Sequence, residues 1–213
     1  VGDCVCTDEA ALHRYLSDLR MEHISGNYSF DQEGTALSLI FDTPEGVLAV
    51  TLSDRFIKLV PLYGSKPTAE YFYLPDGTDW DMLNEFIVEC PVLNVHVTGT
   101  DDEYGQDFTA TLSYVGLMEG EMLYEMDPRE TPGGIFGYPA NQASLSFNLP
   151  LNGNCEVENV PLNGGGSRTV VLDEQSMTLS LPEESSRYTV RGAFSGKDGK
   201  TYWMEFQFEI GDL

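Results

Sequence analysis

Residues 187 to 210, RYTVRGAFSGKDGKTYWMEFQFEI, contain the longest pattern of alternating residues in the chain. Apolar and polar side chains alternate along two arms, which are separated by the turn GKDGK at residues 196 to 200. Since successive side chains of a strand point to opposite faces, the pattern predicts a long β-hairpin with one buried face and one face in solvent. The apolar face carries Tyr188, Val190, Gly192 and Phe194 from the first arm and Tyr202, Met204, Phe206, Phe208 and Ile210 from the second.

The turn decides which residues of the two arms lie opposite each other. Like faces meet only if the loop has an odd number of residues, and Lys197-Asp198-Gly199 meets this condition with Gly199 in the left-handed conformation. The resulting pairs are Phe194 with Tyr202, Val190 with Phe206, Arg191 with Glu205, and Arg187 with Glu209. The last two are favourable ion pairs that the loop length alone produces, and they support the predicted register.

Composition limits the class of protein and the class of partner. The chain has 213 residues, enough for one large or two small domains, and its 41% of hydrophobic residues is typical of a folded protein. Its 35 acidic and 11 basic residues give a net charge of −24, and no Lys or Arg occurs between Pro67 and Pro128. Such a protein repels polyanions, so we expect neither nucleic acid nor an anionic membrane as a partner.

Several features favour an extracytoplasmic protein. No apolar stretch is long enough to span a bilayer, and because the chain neither begins with Met nor carries a signal-peptide pattern, we expect a mature form. Cys4, Cys6, Cys90 and Cys155 allow two disulfides in three connectivities, although Cys4 and Cys6 are too close to pair easily with each other. The even number of cysteines and the low Lys content favour export, while the disulfide connectivity stays open.

Two helices and a series of strands are predicted before the hairpin. Residues 6 to 25 predict a helix capped by Thr7, and residues 78 to 90 predict a second helix capped by Thr78. Between them, a loop at residues 43 to 46 sets Leu37, Leu39 and Phe41 against Leu48, Val50 and Leu52. Further strands are predicted at 55–62, 70–74, 92–98 and 108–115, the last two as a hairpin around the loop 99–107. Residues 117 to 126 fit a helix or a strand, and this choice stays open.

The region from residue 127 to residue 142 is rich in Pro and Gly, which is typical of a linker or a long surface loop. Short strands are predicted after it at 144–149, 155–162, 168–172 and 177–181. We therefore expect a mainly β fold with two β-sandwich-type domains, immunoglobulin-like or transthyretin-like, and a short N-terminal helix. The predicted segments are an N-terminal segment and helix at 1–26, a first β-rich domain at 27–127, a Pro/Gly-rich connection at 128–142 and a second sandwich at 143–213.

An acidic loop is the candidate metal site. Asp101, Asp102, Glu103 and Asp107 surround Gly105, and carboxylate oxygens are the ligands that Ca²⁺ prefers. The loop lacks the alternating Asp residues and the terminal Glu of a helix-loop-helix calcium site. We therefore expect no cofactor, with Ca²⁺ at this loop as the alternative.

Aromatic residues outside the apolar pattern are the candidate ligand-binding residues. Trp203 lies on the polar face of the hairpin beside Arg191 and Glu205, while Phe136 and Tyr138 lie in the Gly/Pro-rich stretch, where a core residue is not expected. A flat exposed ring next to hydrogen-bonding side chains can stack on a sugar or anchor a protein. The alternative is that a neighbouring element covers these rings.

Signals for catalysis are few. No Gly-x-Ser-x-Gly turn is present, and Gly164-Gly165-Gly166-Ser167 lies between two predicted strands, not between a strand and a helix. His96 alternates to the polar face of a predicted strand, as an exposed histidine does. A pair of carboxylates for glycoside cleavage depends on the fold, so a hydrolase with an acidic site remains a third hypothesis.

The acidic, strand-rich chain with Cys4 and Cys6 near its start and a long final hairpin resembles the exported lipoproteins and fimbrillin-like β-sandwich surface proteins of Bacteroidetes. The resemblance implies a periplasmic or cell-surface location. A lipid anchor stays open, since Cys4 follows Asp3 and not the small residue that precedes a lipidated cysteine. We expect a non-catalytic, adhesin-like protein that contacts a protein or a glycan at the cell surface, with a carbohydrate-binding module as the alternative. The sequence leaves the oligomeric state open.

Overall fold

The structure, a computed structural model, describes residues 4–25, 36–62, 68–99, 105–118, 120–136, 140–173 and 175–211. Within these ranges the chain is mainly β, with two short helices and strands in four sheets. The mainly β fold class predicted from the sequence is therefore confirmed. No helix among the described residues is long and apolar enough to cross a membrane.

The chain forms two compact units, one of which is inserted into the sequence of the other. The inserted unit comprises Asp8–Phe86, and the main unit comprises Val1–Thr7 together with Ile87–Leu213. These bounds differ from the predicted segments, because strands before and after residue 127 share one sheet of the main unit. The Pro and Gly residues that suggested a connection there lie within a single unit.

The first eight elements include the whole of the inserted unit. In chain order they are β1 (Cys4–Cys6), α1 (Glu9–Asp18), β2 (Glu22–His23), β3 (Ala36–Thr43), β4 (Gly46–Ser53), β5 (Phe56–Pro61), β6 (Glu70–Tyr73) and α2 (Trp80–Phe86). Strands β2 to β6 form one antiparallel sheet in the order β2-β6-β5-β4-β3. The predicted register of its first hairpin is confirmed, with Leu37 opposite Leu52, Leu39 opposite Val50 and Phe41 opposite Leu48.

Helix α1 is shorter than predicted at both ends. Asp8 caps it, because Asp8 Oδ1 accepts a hydrogen bond of 2.9 Å from Ala11 N–H, so the prediction of Thr7 as the cap is wrong. Cys6, the predicted helix start, belongs to β1, which pairs with β7 (Ile87–Glu89). That partner strand lies far away in the sequence, where a local pattern carries no information about it.

Helix α2 is shorter than predicted for a related reason. The Asp79 carboxylate accepts a hydrogen bond of 3.0 Å from Met82 N–H and caps the helix. The predicted cap, Thr78, instead donates its hydroxyl to the Ser53 carbonyl at 2.6 Å. Strand β7 follows directly after the helix, because the β-branched side chains at its start favour a strand.

The inserted unit has a small core of its own. The helices and the sheet both contribute to it, and Tyr15 of α1 contacts Phe86 of α2 with ring centroids 6.0 Å apart. Its buried apolar residues are Leu12, Leu37, Val50, Leu52, Ile57, Leu74, Leu83 and Phe86.

The main unit contains the remaining strands. After β7 they are β8 (Leu93–Gly99), β9 (Gly105–Thr109), β10 (Thr111–Leu117), β11 (Met122–Glu125), β12 (Gly134–Phe136), β13 (Ala140–Phe147), β14 (Glu156–Pro161), β15 (Arg168–Val170), β16 (Thr178–Ser180), β17 (Ser186–Ser195) and β18 (Thr201–Gly211). The large sheet has seven strands, in the order β11-β10-β18-β17-β14-β15 with β12 also paired to β18. The small sheet has the order β16-β13-β8-β9.

The large and small sheets pack face to face around the core of the main unit. Phe147 of the small sheet contacts Phe194 and Phe206 of the large sheet, with ring centroids 5.3 and 5.6 Å apart. Phe108 of the small sheet likewise contacts Phe208 at 5.7 Å. The apolar face of the terminal hairpin is thus one wall of a two-sheet core.

The predicted register of the terminal hairpin is confirmed. Gly196 N–H donates to Lys200 O at 2.9 Å, which leaves Lys197-Asp198-Gly199 as a three-residue loop, and Gly199 has a φ of 78°. The observed pairs are Phe194 with Tyr202, Val190 with Phe206, Arg191 with Glu205, and Arg187 with Glu209. The alternation, the loop length and the cross-strand charges all favour this one arrangement.

The strand predicted at residues 108 to 115 is two strands in two sheets. Strand β9 pairs with β8 in the small sheet, as the predicted hairpin requires, whereas β10 pairs with β18 in the large sheet. The chain crosses between the sheets at Ala110, which is buried and donates its N–H to Leu93 O at 2.9 Å. A continuous apolar pattern cannot show this crossing, because both strands contribute to the same core.

Two further segments contain strands. Residues 117 to 126, for which the sequence allows a helix or a strand, contain strand β11. The prediction that residues 127 to 142 lack regular structure is wrong, because β12 runs parallel to β18 within this stretch. The backbones approach so closely that a Cβ atom at Gly134 would collide with the backbone of Glu209. Gly134 is therefore a strand residue that permits close pairing, not a sign of a flexible linker.

Candidate functional site

The solvent side of the large sheet carries three of the predicted binding residues. We call this surface the outer face, and its members are Thr111, Tyr114 and Gly116 of β10, Glu156 and Glu158 of β14, Arg187, Thr189, Arg191 and Ala193 of β17, and Trp203, Glu205, Gln207 and Glu209 of β18. Residues between them in each strand point into the core, where Val190, Met204 and Phe206 are buried. Strand alternation thus places Trp203, Arg191 and Glu205 on one surface.

Arg191 lies at the centre of the outer face and contacts two carboxylates. Its Nε donates to Glu205 Oε1 at 2.8 Å, and its Nη1 lies 2.7 Å from Glu158 Oε2. Burial alone would lower the pKa of Arg191, but the hydrogen bonds to the two carboxylates raise it. The hydrogen bond from Arg191 in turn lowers the pKa of Glu158. Arg191 and Glu158 are therefore charged at neutral pH. Through its two contacts Arg191 links β14, β17 and β18.

A second ion pair fixes the far end of the outer face. Arg187 donates from Nε and Nη2 to Glu209 Oε1 at 2.9 and 2.7 Å. Only 6% of the Glu209 side chain is exposed, so this carboxylate depends on its partner for compensation. The outer face is therefore held in a fixed arrangement by cross-strand charge pairs.

Trp203 lies between two small residues. Gly116 of β10 and Ala193 of β17 are directly opposite Trp203 on either side, so neither neighbouring strand places a large side chain beside the indole at that position. Trp203 is half-buried. Within the described part of the chain, the Trp203 Nε1–H has no hydrogen-bond acceptor. The nitrogen atom is not fully buried, so the indole N–H is open to solvent.

Tyr114 is a member of the outer face that the sequence pattern hides. A Cβ atom at Gly116 would lie 2.5 Å from Tyr114 Oη, so the phenol extends along β10 over Gly116, the residue opposite Trp203. A β-bulge explains why it was missed, because Leu112 pairs with Phe206 and Tyr114 pairs with Glu205, which leaves Ser113 as an extra residue. The bulge moves Tyr114 from the face of Leu112 to the opposite face.

A groove borders the outer face at its β14–β15 side. It has a volume of about 370 Å³ and is lined by Cys155, Glu156, Val157, Glu158, Thr169, Val170 and Leu172. That volume is within the range of small-molecule sites. Glu158, whose carboxylate contacts Arg191, thus also lines this groove.

The other predicted aromatic residues do not join Trp203. Phe136 belongs to β12 and lies beside Gly211, eight residues along β18 from Trp203, which is about 26 Å at the usual rise of a strand. Its side chain is 43% exposed, so it remains a surface residue. Tyr138 lies outside the described residues.

The predicted calcium loop is described only at its end. Asp101, Asp102 and Glu103 lie outside the described residues, and Asp107 Oδ1 lies 2.8 Å from His96 Nδ1 on the neighbouring strand. Among the residues that the structure describes, no group of three His, Cys, Asp or Glu side chains could hold a metal ion. Calcium binding by the complete loop stays a prediction.

One row of the small sheet contains the residue types of a nucleophilic triad. Ser144 of β13, His96 of β8 and Asp107 of β9 lie opposite one another. The His96 ring, however, lies where a Cβ atom at Gly105 would be, on the β9 side of its strand. Ser144 is on the other side of β8, so the imidazole does not face the hydroxyl that it would have to deprotonate.

Comparisons of the chain with protein-family models, with curated proteins and with solved structures found no match.

Proposed function

We propose that this protein is a non-catalytic, extracytoplasmic binding protein, adhesin-like, which presents the outer face to a protein or a glycan at the cell surface. In this proposal the main unit is a sandwich of immunoglobulin-like or transthyretin-like type. The resemblance to exported Bacteroidetes surface proteins supports the location, which is periplasmic or at the cell surface with a lipid anchor as an option.

The proposal rests on two features of the outer face. Its charged side chains are held in place by ion pairs, and the indole N–H of Trp203 is a hydrogen-bond donor without an acceptor in the described part of the chain. Three ion pairs, Arg187–Glu209, Arg191–Glu205 and Arg191–Glu158, with distances of 2.7 to 2.9 Å fix its charged side chains across three strands. The indole N–H of Trp203 is directed to solvent beside them. A preorganised surface loses little conformational entropy when a partner binds, which favours recognition over chemistry.

The test is to obstruct the outer face at its centre. Gln207 lies opposite Thr189 and Thr111, so Gln207→Arg places a long charged side chain in the middle of the surface. We expect this variant to lose binding to candidate surface proteins or glycans in a surface-immobilised binding assay. Gln142→Arg is the matched control, because it makes the same change on the exposed side of the small sheet.

Ionic strength distinguishes the two classes of partner. This protein has a net charge of −24, so a protein partner that is attracted to it electrostatically should associate faster at low salt. Stacking of a neutral sugar on an indole involves no ion pair and should depend little on salt. Equal binding by the parent, Gln207→Arg and Gln142→Arg would contradict the assignment of the outer face as the binding surface.

A further inference from the structure

We infer that the ligand of the outer face is a neutral oligosaccharide, and that Tyr114 and Trp203 together form its binding platform. The inference rests on the proposed function and narrows it to one chemical class. We call Tyr114, Gly116, Ala193 and Trp203 the aromatic platform.

The first step is the shape of the platform. Trp203 is flanked by Gly116 and Ala193, and Tyr114 extends over Gly116, so the two aromatic residues occupy neighbouring rows of the outer face and only small residues lie directly opposite Trp203. A sugar ring presents a flat array of C–H bonds that packs on such surfaces, while its hydroxyls contact polar groups at the edge. Two adjacent side chains provide contact for more than one ring of a chain.

The second step is the polar edge of the platform. Glu205 lies directly opposite both Tyr114 and Arg191, and Gln207 and Thr189 form the next row of the outer face. Gln207 and Thr189 make no side-chain hydrogen bond to any described residue. Amide and hydroxyl groups that donate and accept suit sugar hydroxyls, which also donate and accept.

The third step is charge, which excludes an acidic sugar. The two Arg side chains of the outer face already contact Glu158, Glu205 and Glu209. Glu156 adds a further carboxylate opposite Arg191, so acidic groups outnumber basic ones on this surface. A uronate or sulfate group would meet no uncompensated cation there and would be repelled by the surplus carboxylates.

A protein partner is the competing occupant of the same surface. Protein interfaces bury a core that is depleted of charge, with polar groups at the rim. On the outer face the charged groups lie at the centre, around Arg191, and the aromatic platform lies at one end. This order fits a ligand that is hydrogen-bonded along its length better than it fits an apolar protein patch.

The test uses Trp203 as its own reporter. The chain contains two Trp residues, so Trp80→Phe leaves Trp203 as the only indole. Its emission is followed during titration with cellohexaose, xylohexaose, maltohexaose and mannohexaose, and with hexagalacturonate as the acidic counterpart. Calorimetry with the same probes covers Trp203→Ala, Tyr114→Ala and the matched control Tyr71→Ala, which removes a half-buried Tyr from β6 of the inserted unit.

We expect at least one neutral hexasaccharide to shift the Trp203 emission, with an affinity that changes less than about twofold between low and high salt. Trp203→Ala and Tyr114→Ala should each weaken that binding by about tenfold, and Tyr71→Ala should not. Because Trp203 and Tyr114 lie outside the core, both variants should keep the far-UV circular dichroism spectrum and the cooperative thermal transition of the parent.

Three results would overturn the inference, and they differ in what they say of the proposed function. Binding of hexagalacturonate alone would show the charge argument to be wrong. If no neutral hexasaccharide shifts the emission while Gln207→Arg abolishes binding of a protein, the outer face is a binding surface for another class of ligand. If neither experiment shows binding at the outer face, the proposed function fails as well.

Discussion

Asp198 determines the geometry of the terminal turn. Its carboxylate accepts hydrogen bonds from Tyr202 Oη at 2.6 Å and from Lys200 N–H at 3.1 Å. Burial alone would raise the pKa of Asp198, but these hydrogen bonds outweigh it, so the pKa lies below its usual value. A carboxyl group with a lower pKa in the folded state stabilises the fold above its unfolded pKa, and this contribution is lost as the pH falls through the folded pKa.

Asp198→Asn should therefore reduce the free energy of unfolding by about 1–2 kcal/mol at neutral pH, the usual effect of losing a charge-assisted hydrogen bond. The difference from the parent should shrink as the pH falls below about 4, where the unfolded carboxyl becomes protonated. Urea unfolding at a series of pH values measures both quantities. Asp173→Asn is the control, because Asp173 accepts two backbone hydrogen bonds in an exposed turn and should have a smaller effect. A difference that stays constant at low pH would contradict this role.

Phe206 is the residue that most directly tests the predicted core. It is 1% exposed and contacts Phe147 of the small sheet and Phe194 of the neighbouring strand β17. Phe206→Ala should reduce the free energy of unfolding by about 3–5 kcal/mol, because it leaves a cavity in a packed interior. Ile40→Ala is the comparison, since Ile40 is 72% exposed and should change stability by less than about 0.5 kcal/mol. Chemical denaturation of both variants measures the change in the free energy of unfolding. A loss below about 1 kcal/mol for Phe206→Ala would place Phe206 outside the core.

Among the elements, strand β10 shows how one extra residue changes a surface. Ser113 is 5% exposed, and its hydroxyl donates to Glu205 O at 3.1 Å. Ser113→Ala should cost about 1 kcal/mol, because one hydrogen bond is lost. Deleting Ser113 would remove only the extra residue, so Leu112 and Tyr114 would follow each other in a regular ladder and Val115 would stay in the core. Inserting one residue between Tyr114 and Val115 should instead cost more than about 3 kcal/mol, since a one-residue slip moves Val115 from the core to the outer face. Denaturant unfolding of Ser113→Ala and of the insertion variant measures both losses, and equal losses would mean that the register of β10 is not fixed.

The elements also show what a sequence can predict and what it cannot. The terminal hairpin was predicted down to its pairs because alternation, loop length and charge are all local signals. The ends of both helices were wrong because β1 and β7 pair with each other across the whole inserted unit. Tyr114 was missed because a bulge breaks the alternation, whereas Trp203 was found because β18 has no such break. The contact between Arg191 and Glu158 depends on the order of strands, which no local pattern contains.

For the whole molecule, the insertion of one unit into the other makes a specific prediction. Cys6 lies opposite Ile87 in the antiparallel β1–β7 pair, so the main chain enters and leaves the inserted unit at neighbouring points. Replacing residues 7 to 86 by Asn-Gly should convert β1 and β7 into a hairpin and leave the main unit folded. We expect one cooperative unfolding transition for this shortened chain.

A fragment of residues 8 to 86 is the matching experiment. The inserted unit has its own five-stranded sheet and its own buried residues, so we expect the fragment to show a β-type circular dichroism spectrum and a thermal transition. If neither the shortened chain nor the fragment folds, the two units are one cooperative structure. Folding of only one of them would show which unit depends on the other.

The β1–β7 pair also determines the order in which the two units can fold during synthesis. Strand β1 is made before the inserted unit and its partner β7 after it, so β1 stays unpaired until residues 8 to 86 have been synthesised. Pairing between such distant segments is slow compared with the formation of local hairpins. The inserted unit therefore has time to fold first, and the pairing of β1 with β7 closes the main unit late. A nascent chain stalled when Phe86 has just emerged from the ribosome should already contain the inserted unit in its folded form.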